Sequence, residues 1–298
     1  MKKLLLFLLL VQSFSSFTFT QQPSSGVRSL RSDYDGDRRG DFAVFRPSNG
    51  TWYIQTQYQT FQTIQFGLNG DKPVSADFNG DTKTEIAVFR PSNGTWYIRN
   101  NEGGYLAIQF GLADDIPVPA DYDGDFKADI AVYRPSNGTW YILNSANNQI
   151  TIFRFGLRDD VPVPADYDGD RKTDIAIFRN GIWYIQGTKD GIKVINFGLP
   201  GDKPVPSFYD NNDLKDDLAV YRPSTGVWYV LSSSEGFSSL KFGLSADNPI
   251  PNDYDGDGKV DFSVYRNGIW HIQRTMLGYT SFEFGNSDDI PTSNTFVQ

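Results

Sequence analysis

The chain repeats itself six times, and that repetition limits the folds open to it more than any other feature. Aligned on Asp33, Asp77, Asp121, Asp166, Phe208 and Asp253, the units recur about every 44 residues. Each opens with an Asp-rich loop, such as DYDGDFKAD from 121 to 129, followed by an apolar run such as IAVYR. A Gly-containing turn leads to a Trp-centred run such as TWYIL. A third run then ends in Phe-Gly, and a Pro-rich linker reaches the next loop. The six Trp of the chain, at 52, 96, 140, 183, 228 and 270, fall one to a unit.

The runs are short, rich in Val, Ile, Tyr, Phe and Trp, and bounded by Gly, Pro and Asn, so they read as strands. Asn-Gly between the second and third runs, at Asn49, Asn93, Asn137, Asn180 and Asn267, favours a tight hairpin because Gly accepts positive φ. The second run is apolar at consecutive positions, which predicts a strand covered on both faces. Four strands in some 44 residues make one propeller blade, with the Pro-rich PVPAD-type segment as its inner strand. Pro is tolerated there because that strand is a sheet edge. The predicted fold is therefore all-β, a six-bladed β-propeller of four-stranded blades, with a β-solenoid as the alternative. Either Arg28–Ser32 or Ile290–Asn294 supplies the inner strand that closes the ring; the pattern leaves both open.

The loops follow D-x-D-G-D-x-x-x-D. The candidate metal ligands are Asp33, Asp35, Asp37 and Asp41; Asp77, Asn79, Asp81 and Glu85; Asp121, Asp123, Asp125 and Asp129; Asp166, Asp168, Asp170 and Asp174; and Asp253, Asp255, Asp257 and Asp261. Carboxylates crowded into nine residues repel one another unless a cation sits among them. An all-oxygen, irregular ligand set suits calcium, which takes 6–8 oxygens; magnesium demands a stricter octahedron. Zinc and copper prefer nitrogen or sulfur, and the chain has no Cys and one His. Ca2+ is the expected cofactor. An EF-hand would need an acid at the twelfth position on a helix, but Val44, Val88, Val132, Ile177 and Val264 stand there, each in a strand pattern. Loop five starts with Phe208, carries one extra residue and keeps Asp210, Asp213, Asp216 and Asp217; weak binding or none is expected of it.

The loop, the strand that follows it and the recurrent Phe-Gly together resemble the FG-GAP or VCBS repeat family, which includes the α-integrin propeller. The resemblance spans residues 27 to about 294. It implies calcium loops between the first two strands of each blade, on one side of the ring, and adhesion or ligand binding as the role.

The formal net charge of −9 argues against nucleic acid as a partner. Lys2 and Lys3 followed by the apolar run Leu4–Val11 match a signal peptide over residues 1–20, leaving 21–298 as the propeller. That run is too short to span a membrane. The protein is expected to be secreted or at the cell surface, with an extracellular protein or glycan as ligand. The alternative is a multivalent lectin with sites between blades, gripped by the recurrent Arg46, Arg90, Arg134, Arg179, Arg222 and Arg266 and the recurrent Trp. A propeller glycosidase is a third reading. No carboxylate pair or nucleophile–base set breaks the repeat, so the sequence reads as a non-enzyme. Three features have plain explanations: Arg39-Gly40-Asp41 overlaps a metal loop, Asn-Gly-Thr at 49, 93 and 137 is a hairpin turn, and His271 has no companion.

Overall fold

The computed structural model describes residues 32–57, 60–100, 103–210 and 212–292. The signal-peptide segment and Arg28–Arg31 lie outside the described residues. Six four-stranded antiparallel sheets form a six-bladed β-propeller, and no helix occurs among the described residues.

In the third blade the strands from the axis outward are Ile116–Pro117, Ile130–Arg134, Thr139–Leu143 and Ile150–Arg154. Blade two repeats this with Lys72–Pro73, Ala87–Arg90, Thr95–Arg99 and Tyr105–Gln109. Blades four, five and six follow suit from Val161–Pro162, Lys203–Pro204 and Asn248–Pro249. Each inner strand is only two residues long and ends in Pro, which cannot extend the ladder. Blade one takes Phe42–Arg46, Thr51–Gln55 and Phe61–Gln65 from one end of the described chain and Ile290–Pro291 from the other. Ile290 pairs with Phe45 and Pro291 with Val44, so the C-terminal candidate closes the ring.

The second strands are buried on both faces, as their unbroken apolar runs predict. Val88, Val132 and Ile177 face the preceding blade, while Ala87, Ala131 and Ala176 face the following one. One cluster joins Val163, Phe178, Trp183 and Ile185 of blade four to Leu218 and Val220 of blade five. Another joins Phe42 and Val44 of blade one to Tyr265, Trp270 and Ile272 of blade six. The core is thus a set of walls between blades, and no blade has one of its own.

All six Trp side chains are fully buried, and each indole Nε1 donates to the carbonyl of its unit's Phe in Phe-Gly, at 2.7–2.9 Å. The Gly of that pair is fixed by packing. A Cβ on Gly67 would meet the Phe45 ring at 2.9 Å, and its φ of 144° disfavours any side chain.

Candidate metal centres and the opposite face

The Asp loops connect inner to second strands, so they crowd one end of the blades. The first carboxylate of each intact loop accepts at least two backbone N–H groups: Asp33 from Gly36 and Arg38, Asp121 from Gly124 and Phe126, Asp253 from Gly256, Asp257 and Gly258. The ninth residue accepts the N–H of the second, as in Asp41 from Tyr34 (2.7 Å) and Asp174 from Tyr167 (2.9 Å). These bonds curl the loop so that its acids converge. Positive φ at the sixth position, for example 67° at Arg38 and 69° at Phe126, tightens the curl.

Five groups have carboxylate oxygens within 4.8 Å of one another: Asp33, Asp35 and Asp37; Asp77, Asp81 and Glu85; Asp121, Asp123 and Asp129; Asp166, Asp168 and Asp174; Asp253, Asp255 and Asp261. Each could hold a metal ion. Of the other expected ligands, Asp125, Asp170 and Asp257 stand beside their triads, each accepting a hydroxyl from Ser145, Thr188 or Thr275. Asp41 is fully buried beside the first triad. Asn79 turns its amide nitrogen toward Asp81 and Glu85, at 3.2 and 2.6 Å, and spends its oxygen on the Asp81 N–H.

The electrostatics would suit a cation. Asp37 Oδ2, Asp41 Oδ1, Asp168 Oδ1 and Asp255 Oδ1 are buried without a hydrogen-bond partner. Orphaned buried oxygens are costly, and in three separate loops they fall on the same chemistry. Burial, reinforced by neighbouring acids, pushes Asp41 up to about 8 and Asp261 up to about 7. Glu85 rises to about 7, and Asp121 and Asp174 to about 6, again chiefly by burial. A hard cation would relieve both the burial and the repulsion, and the donors are all oxygen.

The sequence reading missed the hairpin between the third and outer strands. It packs on the loop and donates backbone N–H groups to it: Ser145, Thr188 and Thr275 to the ninth Asp at 2.7–2.8 Å, and Lys189 and Met276 to Asp168 and Asp255. The loops also hold one another. The residue before the final acid of each loop donates its N–H to the first carbonyl of the preceding loop: Thr84 to Asp33, Ala128 to Asp77, Thr173 to Asp121, Asp216 to Asp166, Val260 to Phe208 and Gly40 to Asp253, at 2.6–2.9 Å. The circle closes. It also takes Arg39-Gly40-Asp41 out of play as a displayed tripeptide, since Asp41 is fully buried.

Loop five forms no such triad among the described residues. Asp210 Oδ2 accepts the hydroxyls of Ser232 and of Ser234, and Ser233 Oγ donates to Asp213 at 2.7 Å. Burial pushes the Asp210 carboxyl up, but those hydroxyls outweigh it and hold the group below its ordinary value.

At the other end of the blades the recurrent Arg make bidentate pairs: Arg46 with Asp289, Arg90 with Asp71, Arg134 with Asp115, Arg179 with Asp160, Arg222 with Asp202 and Arg266 with Asp247. The Asp side chains are buried and the Arg 19–31% exposed, so each Arg pins the turn that enters its own blade's inner strand. The Trp are core and line no pocket, whereas the Arg remain partly exposed.

Fold and loops together define a propeller whose blades carry acidic, oxygen-lined loops on one face. Residues 77–132 match the family model of the FG-GAP-like repeat, so the chain carries a repeat of that family. No curated protein matches it. Among solved structures it is similar to a streptogramin B lyase, with 10% identity, TM-score 0.54 and 84% of each chain covered. It is also similar to virginiamycin B lyase from Staphylococcus aureus, with 10% identity, TM-score 0.52 and coverage of 85% of this chain and 87% of that one. A lectin from Agrocybe aegerita that recognises non-reducing terminal N-acetylglucosamine gives 14% identity, TM-score 0.54 and coverage of 87% and 92%. At these identities the likeness is one of fold. It overturns one expectation: lyases stand on this architecture, so a regular set of blades is no ground for reading the chain as a non-enzyme. The physical reason is that chemistry on propellers is carried by side chains added at loops and grooves, which a repeat pattern does not test. No helix among the described residues is long and apolar enough to cross a membrane.

Proposed function

We propose that the protein is an exported calcium-binding propeller that serves as an adhesion or ligand-binding module. The observation that carries the reading is the set of five oxygen triads, three of whose loops leave buried carboxylate oxygens unpartnered. Calcium completes them: it tolerates irregular geometry, takes carboxylate and backbone oxygen, and is held without nitrogen or sulfur. Within this reading the triad acids bind the ion, the ninth acid, a member of four of the triads, also ties the loop to the hairpin, and the hairpin N–H groups orient the acids. Lys2, Lys3 and the apolar run behind them support export, where calcium is plentiful. Calorimetric titration tests the metal. About one ion per triad is expected, and no heat of binding would overturn the reading.

A further inference from the structure

The side of the ring carries a pattern that the metal loops leave unused. On the face that each blade turns to its predecessor, the third-strand Tyr, replaced by His271 in blade six, lies beside the first large residue of the outer strand. In blades five, six, one and two, which are consecutive around the ring, that residue is aromatic: Phe237, Tyr279, Phe61 and Tyr105. All four are 57–63% exposed. Each lies near the third-strand ring of its own blade, with centroids 6.0–6.5 Å apart: Tyr229 with Phe237, His271 with Tyr279, Tyr53 with Phe61 and Tyr97 with Tyr105. Each also meets the Phe-Gly ring of the preceding blade, at 6.1–6.4 Å. Blades three and four depart: Ile150 and Ile192 take the aromatic position. The residue paired with the third-strand Tyr also changes, from Ser239, Ser281, Thr63 and Ala107 to Ile152 and Val194. Four neighbouring grooves therefore present an exposed aromatic ring, and two present branched aliphatics in its place.

The polar groups in these grooves select the occupant. Arg46, Arg90 and Arg222 lie over Tyr53, Tyr97 and Tyr229 at 4.3 Å, yet each guanidinium is already neutralised by its buried Asp. The groove offers N–H and O–H donors without net charge. Asn93 Nδ2 donates to Tyr97 Oη at 3.1 Å, and His271 Nδ1 lies 3.0 Å from Tyr279 Oη. At blade six the groove is a shallow cleft of about 270 Å³, lined by Phe242, Leu244, Arg266, His271 and Tyr279 among others. Flat, half-wet aromatic rings beside uncharged hydrogen-bonding groups suit the apolar C–H face of a sugar ring whose hydroxyls point outward around its edge.

We infer that the four grooves of blades five, six, one and two bind a neutral oligosaccharide, one sugar face against each exposed aromatic. This names a ligand class for the binding-module reading and rests on it, but not on the metal, because the grooves use none of the loop carboxylates. Single grooves are weak and the set acts by avidity.

The test is binding of the full chain, in calcium, to surfaces bearing cellohexaose or chitohexaose, with polygalacturonate as the anionic counterpart. Binding to a neutral surface is expected, with none to the anionic one. Phe61→Ala, Tyr105→Ala, Phe237→Ala and Tyr279→Ala should each weaken it several-fold, and the four together by about a hundredfold or more. Melting should stay unchanged, since these side chains are mostly in water. Ile150→Ala with Ile192→Ala should bind like the parent. Should the quadruple variant fold poorly, the single variants decide. Failure of the parent on both neutral surfaces, preference for the anionic one, or aromatic variants that bind as well as the parent would overturn the inference. A calcium titration alongside keeps the two readings apart: absent metal heats would sink the calcium sites and leave the grooves standing.

Discussion

Loops four and five are neighbours with the same ancestry of pattern and opposite solutions to one problem. Both bury an acid at the third position of the motif, Asp168 or Asp210. Loop four aims Asp168 Oδ2 at the N–H groups of Lys189 and Asp190 and leaves Oδ1 without a partner. Loop five supplies two serine hydroxyls to Asp210, from Ser232 and Ser234. A buried carboxylate has to be compensated, and protein hydroxyls or a cation can do it. The difference teaches that a repeat can lose its acidic triad without losing its place in the ring. Phe208 lacks the carboxylate, yet its carbonyl still receives Val260 N–H at 2.9 Å.

The strongest way to break this contrast is to remove the metal altogether. Chelation should lower the melting temperature by more than about 10 °C, because each site filled to a hundred times its Kd contributes about 2.7 kcal/mol. Equal melting with calcium and with chelator would mean that loop four is satisfied without an ion.

The chelated protein should also respond to pH. Asp41 is raised to about 8, and Asp261 and Glu85 to about 7, by burial. Their folded forms hold protons that the unfolded chain has released above about 4. Stability of the metal-free protein is therefore greatest at low pH and falls as pH rises through 7 to 8. Calcium displaces those protons, so its affinity should increase over the same window. Melting scans in chelator from pH 5 to 9 that show no loss of stability would refute the assignment.

A single-loop comparison is finer. Asp168→Asn with Asp170→Asn should remove one calcium from the count and lower melting in calcium by roughly 5–10 °C. Asp210→Asn should leave the count intact and cost about 1–3 kcal/mol whether or not calcium is present, since it disturbs charged hydrogen bonds and no ion. A changed calcium count in the second variant would show that loop five is a site after all.

The smallest effect belongs to the hairpins. Thr188→Val removes the hydroxyl that reaches Asp170 at 2.5 Å while keeping the side chain's shape. It should weaken the loop-four site by about 0.5–1.5 kcal/mol, seen as a few-fold higher Kd for one ion. An unchanged titration would make the hydroxyl irrelevant to the metal.

Much of this was legible in the sequence because propeller information is local. Asn-Gly at Asn137, the consecutive apolar residues of IAVYR and the spacing of acids from Asp121 to Asp129 each fix a turn, a doubly covered strand or a curled loop within a few residues. What the pattern hid depends on contacts between distant positions. Ser232 and Ser234 look like ordinary turn residues until the hairpin is seen against Asp210. The partner of Arg46 is Asp289, at the far end of the chain. The sequence leaves the Trp repeat open to packing or to a ligand, because burial depends on the neighbouring blade; all six prove buried, while Phe61, Tyr105, Phe237 and Tyr279 are among the exposed rings.

The circle of bonds between loops has a mechanical meaning. A row of stacked repeats frays from its ends, where a unit has one neighbour. Here the bond from Gly40 to Asp253 gives the first loop a second neighbour, so load placed on any loop is shared to both sides. The seam between first and last strands is fastened at both ends of blade one, by that bond at the loop end and by Arg46 on Asp289 at the other. A hoop fastened twice has no preferred place to tear.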